Sequence, residues 1–143
     1  MLRILLTLLL ALASIQSTYA DQSSLHIKDA WTPEAPPGRM MAGFMQIHNA
    51  GSSPVAIVDA RATGFGHVEL HNTTMDEGVM RMRRVDALTI DAGQTLSLEP
   101  GGLHVMLIEP QQNFHAGEHI EVVLIDSNGN EYPLQSEIRP RRR

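Results

Sequence analysis

Thr95-Leu96-Ser97-Leu98-Glu99-Pro100-Gly101-Gly102-Leu103-His104-Val105-Met106-Leu107-Ile108 is the stretch whose reading decides the fold. Thr95 to Leu98 alternates polar and apolar side chains. Leu103 to Leu107 puts its odd positions on an apolar face and leaves His104 and Met106 together on the other, about 7 Å apart by strand rise. Between the two segments Pro100 fixes one backbone angle and the glycines that follow allow the positive one a reversal needs. The stretch therefore reads strand, turn, strand, and it aims an imidazole and a thioether the same way.

Similar segments recur outward in both directions. Leu25 to Trp31, Ala42 to His48, Val55 to Ala62, His67 to His71, Val79 to Val85, His119 to Ile125 and Tyr132 to Ile138 are short, alternating or β-branched. With the two above they make nine expected strands, and no stretch keeps a helical period, so an all-β sandwich or barrel is expected. Asn49-Ala50-Gly51-Ser52-Ser53-Pro54 supplies a reversal, and Glu34-Ala35-Pro36-Pro37-Gly38 is too proline-rich for a strand and reads as an exposed connection. Asn128-Gly129 suits a two-residue hairpin. In His67-Val68-Glu69-Leu70-His71, Val68 and Leu70 should enter the core while Glu69 and His71 share the opposite face.

The first 20 residues have the form of an export signal: Arg3, an apolar run from Ile4 to Ala13, and small residues up to Ala20. That run is shorter than the roughly 20 residues a membrane span requires, so stable membrane insertion is not expected. Residues 21–138 then form one β domain, large enough to bury about two-thirds of its extended-chain surface. Residues 139–143, Arg-Pro-Arg-Arg-Arg, are expected to form a disordered tail. The sequence contains no cysteine, which removes disulfides, thiolate chemistry and a lipid-bearing N-terminal cysteine.

After the signal, ten basic residues face sixteen acidic ones, and four of the ten lie in the terminal arginine run. The body is strongly acidic, which argues against a nucleic-acid partner, because phosphate binding needs a basic face.

Eight methionines and seven histidines accompany only three phenylalanines and two tyrosines, although methionine is ordinarily a minor core filler. Met40, Met41 and Met45 flank the second strand, Met75, Met80 and Met82 follow His71, and Met106 follows His104. Thioether sulfur is soft and neutral, and imidazole is borderline, so a mixed set favours Cu(I) over hard cations. Zinc sites use Cys, His and carboxylates instead. A blue-copper electron carrier would need a cysteine. Copper bound here is therefore expected as cargo.

The segment from Val68 to Ile108 resembles the periplasmic copper chaperones of the PCuAC type, whose motif is His, ten residues, Met, twenty-one residues, His, one residue, Met. His71, Met82, His104 and Met106 satisfy every spacing, a coincidence that composition alone would produce roughly once in a thousand. Val68-Glu69-Leu70-His71, Gly78-Val79-Met80-Arg81-Met82 and Pro100 to Leu107 are similar to the family's flanking text, as are Asp29-Ala30-Trp31 and the strand ending in Asn49. The resemblance implies a cupredoxin-like Greek-key β-sandwich and a single Cu(I) held by His71, Met82, His104 and Met106. A non-enzymatic, periplasmic carrier is expected from the ligand chemistry and the export signal, and a monomer is expected. The implied partner is a copper-accepting protein, a cytochrome c oxidase subunit or one of its assembly factors. The His- and Met-rich tail found in some members has no counterpart in Arg139 to Arg143, so no tail site is expected.

Around that set, Glu69 could accept the second ring proton of His71. Met80 shares a face with Met82 and could line the site or pack. Met75 is expected in a loop, and burial would account for Met40, Met41 and Met45. His67 lies on the face of His71, while His26, His48, His115 and His119 read as exposed or hydrogen-bonded histidines. Other functions compatible with the residues are a copper buffer without a client, a copper enzyme with an open coordination position, and an interaction module whose methionines only pack.

Overall fold

The computed structural model describes residues 24–141; the expected export signal lies outside the described residues. These residues form strands, turns and loops without a helix. The ten strands are β1 (Leu25–Pro33), β2 (Met41–Asn49), β3 (Val55–Ala62), β4 (Phe65–Asp76), β5 (Val79–Arg84), β6 (Leu88–Ile90), β7 (Thr95–Leu98), β8 (Leu103–Pro110), β9 (His119–Asp126) and β10 (Glu131–Arg139).

Hydrogen bonding links them in the order β5-β4-β8-β2-β1-β10-β9-β3-β6, with β7 also paired to β2. Neighbours in space are mostly not neighbours in sequence, the mark of a Greek-key arrangement. β2 joins the two layers: Met41 to Gly43 pair with β8, whereas Met45 to His48 pair with β7. Among the described residues, the only parallel pairing joins β1 to β10.

Alternation decides what the layers enclose. Val68, Leu70, Val105 and Leu107 are buried in the core as their positions predict, with Ile47, Ile57, Leu124 and Ile138 among those that meet them. Asn49 is fully buried; its amide donates to the carbonyls of Ser53 and Ile90 and its oxygen accepts from the Gly51 N–H. One side chain thus ties the end of β2, the following turn and β6 together, so no buried polar group there is left unmade.

Several expectations shift in detail. β6 was not anticipated, since three residues are too few to show a period. Met75, expected in a loop, lies within β4, which continues past His71 to Asp76 and reverses into β5. Glu77 and Gly78 both take positive φ, 49° and 78°, the two-residue turn whose twist suits a hairpin. The β9–β10 connection is longer than the two-residue hairpin expected at Asn128-Gly129. Asp126 accepts the backbone N–H groups of Asn128 and Asn130, and that side-chain-to-backbone pairing shapes a wider loop. Arg139, assigned to the tail from sequence, is the last residue of β10; it pairs with Glu137 and lies 5.5 Å from the Trp31 ring centroid.

β5 is an outer strand of the sheet, and all six of its residues are exposed. In β1, Asp29 has φ 51° and the register with β2 shifts between Lys28 and Trp31. Such a bulge re-aims the next side chains, and here it seats Trp31 against Phe44 with ring centroids 5.0 Å apart.

Candidate metal centre

The outer faces of β4, β5 and β8 collect the soft donors. Antiparallel partners share a face, so the pairings His71 with His104 and Glu69 with Met106 put three of these donors and one carboxylate on one side of the sheet. His71 also opposes Arg84 while Thr73 opposes Met82, which makes Met82 the diagonal neighbour of His71. Diagonal positions lie about 7–8 Å apart, within reach of a long side chain. All four expected ligands thus lie on one face of adjacent strands.

The turn ahead of β8 sets His104. Pro100 and Gly101 occupy its centre, Gly101 at φ 86°, and the Gly102 N–H closes it on the Glu99 carbonyl at 3.0 Å. Proline followed by a residue with positive φ is the type II pattern. The Gly102 carbonyl then accepts both the Thr73 N–H and Nδ1–H of His104, each at 3.0 Å. His104 is buried, with Phe44 beside it at 6.3 Å between ring centroids and Trp31 beyond.

Both imidazoles are held in one tautomer. Nδ1 of His104 donates to Gly102, so Nε2 carries the lone pair. Nε2 of His71 donates to Oε2 of Glu69 at 2.7 Å, so Nδ1 carries it. These two lone-pair nitrogens, His71 Nδ1 and His104 Nε2, are buried and have no hydrogen-bond partner, and their rings lie 5.7 Å apart. Buried polar atoms almost always find a partner. Two unpartnered acceptors on facing imidazoles fit a bound cation with nitrogen affinity, each ring oriented by an outer hydrogen bond as in metal sites generally.

Electrostatics agree with that assignment. Burial lowers the pKa of His104, reinforced by the nearby His71 and only partly countered by the Gly102 carbonyl, so its neutral form is favoured. The hydrogen bond from His71 holds Glu69 below the ordinary carboxylate range, helped by Arg84, His71 and His67 against the opposing effect of burial. Arg84 and His67 each approach Glu69 at 3.8 Å.

The sulfurs differ in exposure. Met106 is buried, whereas Met82 is 52% exposed. Met80 and Met75, at 63% and 67%, are more open still, and Met40 is exposed where burial was expected, while Met41 and Met45 are buried. Among the described residues, no group of three or more His, Cys, Asp or Glu is placed to hold a metal. The donors that share this face with the two imidazoles are the thioethers of Met82 and Met106, which suit copper and not zinc.

His26, His115 and His119 are exposed; His48 bonds Thr95 and His115 approaches Glu34 at 3.5 Å, so these histidines stay outside the centre. The Gly102 carbonyl and the Trp31–Phe44 wall had no signature in the sequence. The alternation of Thr73, Met75, Met80 and Met82 about Glu77-Gly78 could have revealed the β4–β5 hairpin.

The family model described as "Putative lipoprotein LpqE-like" matches residues 12–138. A protein of Leifsonia xyli subsp. xyli (strain CTCB07), named "Putative lipoprotein Lxx21020", is 32% identical over 123 residues, spanning 85% of this chain and 74% of that protein. The copper-bound PCuAC domain from PmoF2 superposes with a TM-score of 0.69 at 18% identity, over 82% of this chain and 94% of that one. The Cu(I) form of DR1885 from Deinococcus radiodurans does so with a TM-score of 0.62 at 26% identity, over 86% and 85%. The fold is thus the cupredoxin-like one of PCuAC domains, as the resemblance implied. With nearly its whole described length inside the family match, this chain belongs to the LpqE-like family.

Proposed function

We propose that this protein binds one Cu(I) through His71, Met82, His104 and Met106 and passes it to a copper-accepting protein outside the cytoplasm. The observation that carries the proposal is the facing pair of buried, unpartnered nitrogens, His71 Nδ1 and His104 Nε2, with two thioethers on the same face. Copper-bound relatives of the same fold support the choice of metal.

Imidazole and thioether are neutral, so the bound ion keeps its single positive charge and prefers soft donors. Met106 and His104 form the buried side of the centre. Met82, half out in solvent, is the donor that an incoming ligand displaces first, and exchange proceeds stepwise without the ion entering water. Cu(I) is cargo in this scheme, and no bond of a substrate is made or broken. The recipient we assign is the copper centre of a respiratory oxidase, reached after export directed by residues 1–20.

The test is anaerobic Cu(I) competition against a chromophoric chelator, comparing the parent with Met82→Leu and Met106→Leu. These swaps roughly conserve volume and typically cost less than about 1.5 kcal/mol of stability. The parent should take one tight equivalent and each variant should bind at least tenfold more weakly. Unchanged affinity in both variants would rule out the ligand set. Oxidase copper loading in cells lacking the protein addresses the recipient: normal loading would leave a buffering role.

A further inference from the structure

The β4–β5 hairpin carries more thioether than the proposed centre uses. Met75 and Met80 stand directly opposite each other, and Met82 follows two residues along the same face of β5. All three are largely exposed, and Val79 at the same hairpin end is exposed too. Four of the six large exposed hydrophobic side chains among the described residues therefore sit on one hairpin. β5 does carry arginines, as a solvated edge ordinarily does, but its exposed methionines need another account.

The opposite face of the hairpin holds Asp76, Arg81 and Arg83, while Arg84, at the far end of the methionine face, turns to Glu69. Arg81 reaches Asp76 at 3.2 Å across the strands, and both alternate away from Met75, Met80 and Met82. The tight turn at Glu77-Gly78 fixes the register, so the Met75–Met80 pair is presented by a defined backbone. Cβ atoms of directly opposed residues lie about 4.5–5.5 Å apart, and the flexible methionine side chains can bring two sulfurs to one ion.

Resting on the Cu(I) reading above, we infer that Met75 and Met80 form a second, weaker site for Cu(I), a two-thioether station from which the ion moves to Met82 and then to the histidines. Successive donors along the face are about 7 Å apart by strand rise. Thioethers alone, neutral and exposed, hold Cu(I) loosely, as an entry or exit station must.

Methyl-labelled methionines of the full chain report the site directly. On anaerobic titration with Cu(I), the first equivalent should shift the Met82 and Met106 methyl signals and the second those of Met75 and Met80. A Met75→Leu/Met80→Leu variant should lose the second equivalent, keep the affinity for the first within about twofold, and load Cu(I) from a chelator several-fold more slowly. Both positions are exposed, so the variant should fold. Met75 and Met80 signals that stay fixed at two equivalents would overturn the station, as would a second equivalent that survives the double substitution. A first equivalent that leaves Met82 and Met106 unmoved would instead overturn the ligand set proposed for the main centre.

Discussion

His71 and His104 face each other from β4 and β8 with ring centroids 5.7 Å apart, and each gives one nitrogen to a fixed acceptor while the other has no partner. The acceptors differ: a carboxylate for His71 and a backbone carbonyl for His104. Only the first can be changed by substitution without moving the chain.

Glu69→Ala should therefore weaken Cu(I) binding by about 10- to 100-fold, the usual effect of removing an outer partner that orients a metal-binding histidine. Glu69→Gln, which keeps an acceptor oxygen, should lose less. Chelator competition measures both, and wild-type affinity in Glu69→Ala would show that the hydrogen bond does not prepare the site.

His104 should titrate below the ordinary histidine value of about 6.5, because burial disfavours its charged form. The unfolded chain takes up that proton more readily than the folded one. Stability should therefore fall as pH drops below about 6.5, until the lower folded-state pKa is passed. Ring NMR of the metal-free protein checks the midpoint, and a value above 6.5 would contradict the burial argument.

Asp126 is linked to pH in the same direction as His104, but from hydrogen bonding and in a more acid range. Burial raises its pKa, but hydrogen bonds from Asn130, Tyr132 and Asn128 outweigh burial and the net direction is down. Its contribution should be present above the ordinary aspartate value and be lost as pH falls through the folded-state value. Asp126→Ala should cost about 1–3 kcal/mol, since the buried Tyr132 hydroxyl loses its acceptor. Denaturant melts at neutral and acid pH should show the difference between parent and variant shrinking in acid.

Asn49→Ala should cost a similar amount, about 1–3 kcal/mol, by leaving the Ile90 and Ser53 carbonyls and the Gly51 N–H without their side-chain partner. Thermal unfolding would reveal it, and Cu(I) affinity should not change, because the residue lies away from β4 and β8.

Much of this architecture was legible in the chain. Leu103 to Leu107 alternates cleanly because one face is core and the other is the metal centre, so the directions of His104 and Met106 could be read directly. β4 beyond His71 could not: Asn72-Thr73-Thr74-Met75-Asp76 lies in an outer layer where little is buried, and polarity alone resembles a loop. The wall beside His104 comes from Trp31 and Phe44, brought in by β1 and β2 and aimed by a bulge at Asp29 that no residue pattern announced. The Gly102 carbonyl is a backbone group, invisible to any motif of side chains.

Among the described residues no strand pairs with the outer side of β5, which lies beside a face of bare thioethers. Such a strand invites a second copy to add on, yet Arg81, Arg83 and Arg84 occupy half of its six positions. Stacking two β5 strands would bring six guanidinium groups together, and like charges directly opposed are destabilising. The arginines thus oppose such addition at an otherwise sticky hairpin, and neutralising them should cost solubility before it costs fold.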